Sequence, residues 1–189
     1  MTPKFKMTLP QVVFIRLLLI LPLFLLLSTF SVKAQKIDSL FLDAAINKLQ
    51  NAKAYTLKIA DLMPDDKYVF MPTPEEMKFG EQLLHISSNL GWLSSSYLST
   101  SINPVTSADM EMKKKGEIIL VLNKAYDFAL DVLRHFALSQ LSDTVSFFAG
   151  HKTKLQIINL LMDHQTHHRG QLLVYLRLNK ITPPDYIGW

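Results

Sequence analysis

The sequence predicts an all-α protein, a four-helix bundle with a long crossover between its second and third helices. Three observations carry that expectation. Apolar residues recur at helical spacing in four separate segments, bounded by Pro, Asn or Gly. The connection between the second and third segments, residues 99–116, far exceeds the roughly 2–8 residues of an ordinary helix hairpin. A connection that long is one way a bundle departs from simple up-down order. Finally, no run of alternating apolar and polar residues reads as a strand.

Residues 1–34 stand apart and read as a signal peptide. Lys4, Lys6 and Arg16 precede an apolar run from Leu17 to Leu27, and Val32 and Ala34 are small residues where a signal peptidase favours them. Cleavage before Gln35 is expected, leaving residues 35–189 as one exported domain, periplasmic or secreted. The alternative is an uncleaved segment that anchors the protein to the membrane. The apolar core is short for a span of about 20 residues and contains Pro22.

Setting this segment aside changes the charge. It holds four of the 20 basic residues (Lys4, Lys6, Arg16 and Lys33) and no acid, so 16 basic face 16 acidic residues in the remainder. No net positive field is left to attract nucleic acid. Lys113, Lys114 and Lys115 form the one basic run and read as a solvated loop. There is no cysteine, which excludes disulfides, thiolate ligands and a cysteine nucleophile. A metal site must therefore be built from His, carboxylate or water.

The first helix is expected from Ile37 to Leu62, with Leu49, Ala52, Tyr55 and Ile59 among its apolar positions, and the sequence Met63-Pro64-Asp65-Asp66 ends it. A short extended connector follows, from Lys67 to Pro72. Thr73 as N-cap, Pro74 at the first helical position and Glu76 as the third member of a capping box predict the start of the second helix. Its stripe is Phe79, Leu83, Ile86, Leu90, Leu93 and Tyr97, with His85, Asn89 and Trp92 on the flank. The third helix is expected from Glu117 to Leu141, with His135 beside its core face as a structural or exposed residue. Phe147 and Phe148 then sit in a linker that packs over one end of the bundle. The fourth helix is expected from His151 to Lys180, where Thr182-Pro183-Pro184 stops it, and the aromatic tail through Trp189 docks on the bundle.

The fourth helix carries the chemistry. With Ile157 at zero and about 100° per residue, Leu161, His164, His168, Gln171, Leu172 and Tyr175 fall in one narrow arc. His164 and His168 are one turn apart, a spacing at which two imidazoles can reach one ion. A single His on an apolar face is usually a satisfied core residue. Two on one stripe need partners that apolar neighbours cannot supply. His167 lies off the stripe and reads as a flanking or surface residue. Two enzyme classes are excluded on residue chemistry. A zincin needs Glu after the first His as general base, and Gln165 stands there. A di-iron bundle needs paired Glu-x-x-His motifs, whereas Glu81 is four residues before His85 and no second pair exists.

Taken together, Ala54-Tyr55, residues 72–76, Leu83-Leu84-His85-Ile86, residues 164–171 and Pro183-Pro184 resemble the DinB-like family of metalloenzymes. The segment 164–171 is the most specific of these pieces. The resemblance implies a four-helix bundle with the same long crossover, and a metal held by one His of the second helix and two of the fourth. By motif these are His85, His164 and His168. Three neutral imidazoles would leave a divalent ion, zinc or nickel, with a position open to water or substrate. The expected function is that of a metal-dependent hydrolase or transferase acting on an unidentified small molecule. The alternative is a non-catalytic metal-binding or structural module. Export argues against the thiol cosubstrates that some family members use, because those are cytosolic pools. The family also implies a homodimer. Asp163, Glu81 and Asn89 are the expected acceptors for the ligands' second nitrogens. Gln171 is expected to face a bound water or ligand, and Arg169 to make a salt bridge or a partner contact.

Overall fold

The computed structural model describes residues 37–189; the expected signal peptide and its cleavage point lie outside them. Four helices dominate: α1 (residues 37–62), α2 (Phe79–Leu93), α3 (Lys115–Arg134) and α4 (Lys154–Leu178). The bundle lies within Phe41–Trp189. Its centre is the apolar stripe of each helix, with Leu49 and Ile59 of α1, Phe79, Leu83 and Ile86 of α2, Leu122 of α3 and Ile157 of α4 all fully buried.

Side-chain contacts fix the helix directions. Lys115, at the start of α3, donates to the Asp61 and Met63 carbonyls at the end of α1, while farther along α3 Asp127 pairs with Lys53. Those helices are antiparallel. Residue 118 at the start of α3 lies against Gly80 at the start of α2, so α2 and α3 run parallel. Parallel neighbours cannot be joined by a tight turn, which is why residues 99–114 cross the length of the bundle, with a short 3₁₀ turn at Asp109–Glu111. The expected crossover is present. It also explains Gly91: a Cβ there would collide with the Asn103 amide of the crossing chain.

Several boundaries differ from expectation. The capping box expected at residues 73–76 does not start α2. Glu76 N–H instead donates to the Thr73 carbonyl in a turn around Pro74, and the helix begins at Phe79. A 3₁₀ turn, Asp65–Lys67, leads into the connector expected to be extended from Lys67 to Pro72, which instead folds back so that Phe70 and Tyr68 carbonyls accept from the Phe79 and Gly80 N–H groups. With those orphan donors satisfied, α2 needs no cap at Thr73. Glu81 supplies a carboxylate to the Lys78 N–H. At its other end α2 widens into a π-helical turn, Ser94–Leu98.

The third helix stops at Arg134, not Leu141: Ala137 is extended and Leu138–Gln140 is a separate 3₁₀ turn. Two short strands, β1 (Thr144–Val145) and β2 (Lys152–Thr153), pair antiparallel before α4. Phe147 is buried and stacks on Trp92, whereas Phe148 stacks on the same ring but stays exposed. In the tail, Tyr186 meets Tyr55 edge-on and Asn51 bonds the Trp189 carbonyl. Lys115 departs from the solvated run expected of it, since its ammonium closes the carbonyl end of α1.

Helix α4 opens on a cap built from its own first residues. Thr153 Oγ1 accepts from Gln156 N–H at 3.2 Å and Gln156 Oε1 accepts from Thr153 N–H at 2.9 Å, a reciprocal capping box. Replacing Thr153 with Ala should cost about 1 kcal/mol, read as a lower urea midpoint at unchanged slope.

Candidate metal centre

Helices α2 and α4 are antiparallel, with Tyr175 late in α4 bonded to Met77 just before α2. Their seam brings His85 opposite His164 and His168. One ring nitrogen from each of the three lies within 4.8 Å of the others. His85 Nε2 and His164 Nε2 are 3.1 Å apart, and the ring centroids of the three residues are separated by 4.5–4.8 Å. Thus the three residues singled out in the sequence are brought together. His167 is exposed on the adjacent flank, His135 is exposed on α3, and neither joins the group.

The cluster sits at the edge of the core rather than its middle. The buried face of α4 includes Ile158, Leu161, Met162, Gln165, Arg169, Leu172 and Leu176 as well as Ile157. Its centre is rotated about 70° from Ile157, at 100° per residue. The apolar stripe underestimates this face because Gln165 and Arg169, two polar residues, are fully packed inside it. Their burial has a local reason. The Tyr126 hydroxyl donates to Gln165 Oε1 at 2.6 Å, Arg169 Nη1 donates to the same oxygen at 3.2 Å, and Arg169 Nη2 donates to Thr166 Oγ1. The Arg169 guanidinium lies over the Tyr55 ring. No salt bridge among the described residues involves it, which corrects the expected ion pair.

Second-nitrogen partners also depart from expectation. His168 Nδ1 meets Gln82 Oε1 at 2.5 Å; neither Asp163, Glu81 nor Asn89 takes that part. Gln82 is fully buried and lies three residues before His85, so both project from one side of α2. That spacing could have pointed to it. Gln171 accepts from Gln82. His164 Nδ1 is buried without a hydrogen-bond partner.

The electrostatics favour uncharged rings. Burial, followed by the neighbouring His168, His85 and His167, pushes His164 down to about 4. Burial, with His85 and His167 beside it, likewise pushes His168 down to about 4. Burial lowers His85 too. Neutral imidazole is the form that binds metal. Since His168 Nδ1 faces an acceptor, it carries the proton there and leaves Nε2 as the ring's lone pair. The close His85–His164 pair can share only one proton, and His164 Nδ1 finds no partner at all. Three neutral rings carry three N–H groups and three lone pairs, but the His168 proton is spent on Gln82 and the His85–His164 contact holds one proton between two nitrogens. Two lone pairs and one donor remain for the cluster, a set that suits a cation. Tetrahedral zinc with bonds of 2.0–2.1 Å needs ligand nitrogens about 3.3 Å apart, close to the spacing of the His85–His164 pair.

These shifts carry a sign for stability. In the unfolded chain both rings protonate near the ordinary 6.5, in the folded chain only near 4. Their contribution is complete above pH 6.5 and is lost as pH falls towards 4. Metal-free protein should lose roughly 5 °C of Tm between pH 7 and 5, a window above most carboxylate titration. A Tm that stays level there would contradict the assignment of neutral rings.

The family model described as DinB family matches residues 37–186. The chain belongs to the DinB family. A related sequence, the uncharacterized protein YjoA of Bacillus subtilis, is 28% identical over 129 residues, covering 65% of this chain and 80% of YjoA. The crystal structure of that DinB-like protein superposes with a TM-score of 0.60 at 18% identity, over 76% of this chain and 96% of YjoA. A DinB-like protein from Bacillus cereus gives 0.62 at 20% identity, over 77% and 97%. These structures share the DinB fold with this chain, and within that fold its three histidines form a group that could hold a metal ion.

Proposed function

We propose that this DinB-family chain is an exported metalloprotein whose His85, His164 and His168 hold one divalent ion, zinc or nickel, in a site open to a small-molecule substrate. The observation that carries the reading is the convergence of three imidazoles from two helices, one nitrogen of each within 4.8 Å of the others, with His168 Nδ1 held by Gln82. Among the described residues this group has three metal-capable side chains. A four-coordinate ion held by them keeps one position for water or substrate.

An ion in such a site supplies Lewis acidity and lowers the pKa of bound water towards neutrality. The chain's own residues define the surroundings. Gln82 orients His168, and the α2–α4 seam keeps the rings half out of water, which holds them unprotonated. Gln165, facing Tyr126 and Arg169 in the core, is turned away from the rings and cannot serve as a base. A hydrolase or transferase is the class that fits an open three-histidine ion. Elemental analysis of the purified protein tests the foundation: one zinc or nickel per chain is expected. Metal-free protein that takes up neither ion when titrated would overturn the proposal.

A further inference from the structure

The short contact between Gln82 and His168 belongs to a longer chain of hydrogen bonds with a definite direction. Gln82 spends both of its amide N–H groups away from the histidines, one on Gln171 Oε1 at 2.5 Å and one on the Tyr175 hydroxyl at 3.4 Å. Tyr175 in turn donates its proton to the Met77 carbonyl at 2.9 Å, with the Glu76 carboxylate 3.4 Å away. Gln171 passes its own amide on to His167 Nε2 at 3.1 Å. An amide or an imidazole can be reversed in such a chain, but a backbone carbonyl cannot donate. Met77 therefore fixes the sense of everything upstream. Tyr175 donates to it, which leaves the Tyr175 oxygen only lone pairs to offer Gln82. The amino end of Gln82 then faces Tyr175, and its carbonyl end faces His168.

We infer that the Met77 carbonyl, Tyr175 and Gln82 form a polarity relay that holds His168 as the Nδ1–H tautomer and so presents its Nε2 to the metal. Gln82 and Tyr175 are positioning residues; neither touches the ion. The reversed network would put the Gln82 amino group against His168 Nδ1 and a hydrogen on Nε2, where the ion should bind. It would also leave the Met77 carbonyl without the tyrosine proton. The inference rests on the metal reading above for its consequence, but the tautomer itself is a property of the metal-free protein.

Long-range ¹H–¹⁵N correlation spectra of the metal-free, full-length chain read the tautomer directly, and competition with a zinc chelator reads the affinity. In the parent, His168 should show a protonated Nδ1 and a bare Nε2. Gln82→Met removes the acceptor and should weaken zinc binding by about 10–100-fold, the usual effect of losing a ligand's supporting partner. Gln82→Glu restores an acceptor oxygen and should restore the Nδ1–H tautomer. Tyr175→Phe leaves Gln82 free to turn over, so a mixture of tautomers is expected with roughly twofold weaker zinc binding, in proportion to the competent fraction. A parent His168 protonated on Nε2 would overturn the relay. So would a folded Gln82→Met protein that keeps both the parent tautomer and the parent affinity. A parent that shows the expected tautomer yet binds no zinc would sink the metal reading and leave the relay standing.

Discussion

Removing any one of the three imidazoles should cost zinc affinity by a factor of about 100 or more. Structural zinc in four-ligand sites is bound by about 10–16 kcal/mol, so one ligand in a smaller set is worth roughly 3 kcal/mol, and each 1.4 kcal/mol is tenfold. His85→Ala, His164→Ala and His168→Ala should all show the loss in a chelator competition. His167→Ala is the informative control. Its ring lies 5.0 Å from that of His168, centroid to centroid, but on the exposed flank of α4. It should retain affinity within about threefold, a change of well under 1 kcal/mol. Equal losses in all four variants would point to a nonspecific histidine patch, and the three-ligand site would fall.

Gln165→Leu should be among the most damaging single changes to the fold, by about 2–4 kcal/mol. Its side-chain oxygen is the acceptor for both the Tyr126 hydroxyl and the Arg169 guanidinium. Leucine fills the volume but accepts nothing. Tyr126 can still turn to Thr56 Oγ1, and Arg169 keeps Thr166 Oγ1 through Nη2. The cost therefore falls mainly on Arg169 Nη1, a charged donor left without its acceptor in the core, where a deserted polar group costs about 1–3 kcal/mol and a charged one more. Thermal melts should fall by roughly 5–15 °C. Arg169→Met makes the opposite expectation. Without the guanidinium, Gln165 still accepts from Tyr126, and Thr166 still donates to the Met162 carbonyl. No partner is orphaned and a costly buried charge is gone, so the change should stay within about 1 kcal/mol of the parent. If Arg169→Met were as harmful as Gln165→Leu, the guanidinium would be a net source of stability and the account given for this core would be wrong.

The four helices and the crossover were legible because they depend on apolar periodicity and connection length, which are local properties. The three histidines were legible for a mixed reason. The spacing of His164 and His168 is geometric, whereas His85 sits on the flank of its stripe and became visible only through the resemblance to the DinB family. What the sequence hid is polar. Gln82, Gln165 and Arg169 are each nearly inaccessible to solvent, yet a pattern of hydrophobic spacing assigns such residues to the surface. Their burial depends on partners contributed by other helices, and pairing across helices has no signature along the chain. The capping box around Thr73 failed for a related reason. Its side chains suit a helix start, but Glu76 N–H closes a turn on the Thr73 carbonyl, and α2 begins only at Phe79, where the returning Phe70 and Tyr68 carbonyls take the Phe79 and Gly80 N–H groups.

His85 and His164 are 79 positions apart in the chain. An ion gripping both would act as a removable staple across a loop of that length, in a protein that has no cysteine with which to make a permanent one. In the polymer picture, tying two such distant points withdraws several kcal/mol of freedom from the unfolded ensemble. The crossover would lie inside that loop, as would all of α3. Stripping the ion would therefore loosen the tertiary closure of half the molecule at once, so occupancy and resistance to unfolding should rise and fall together.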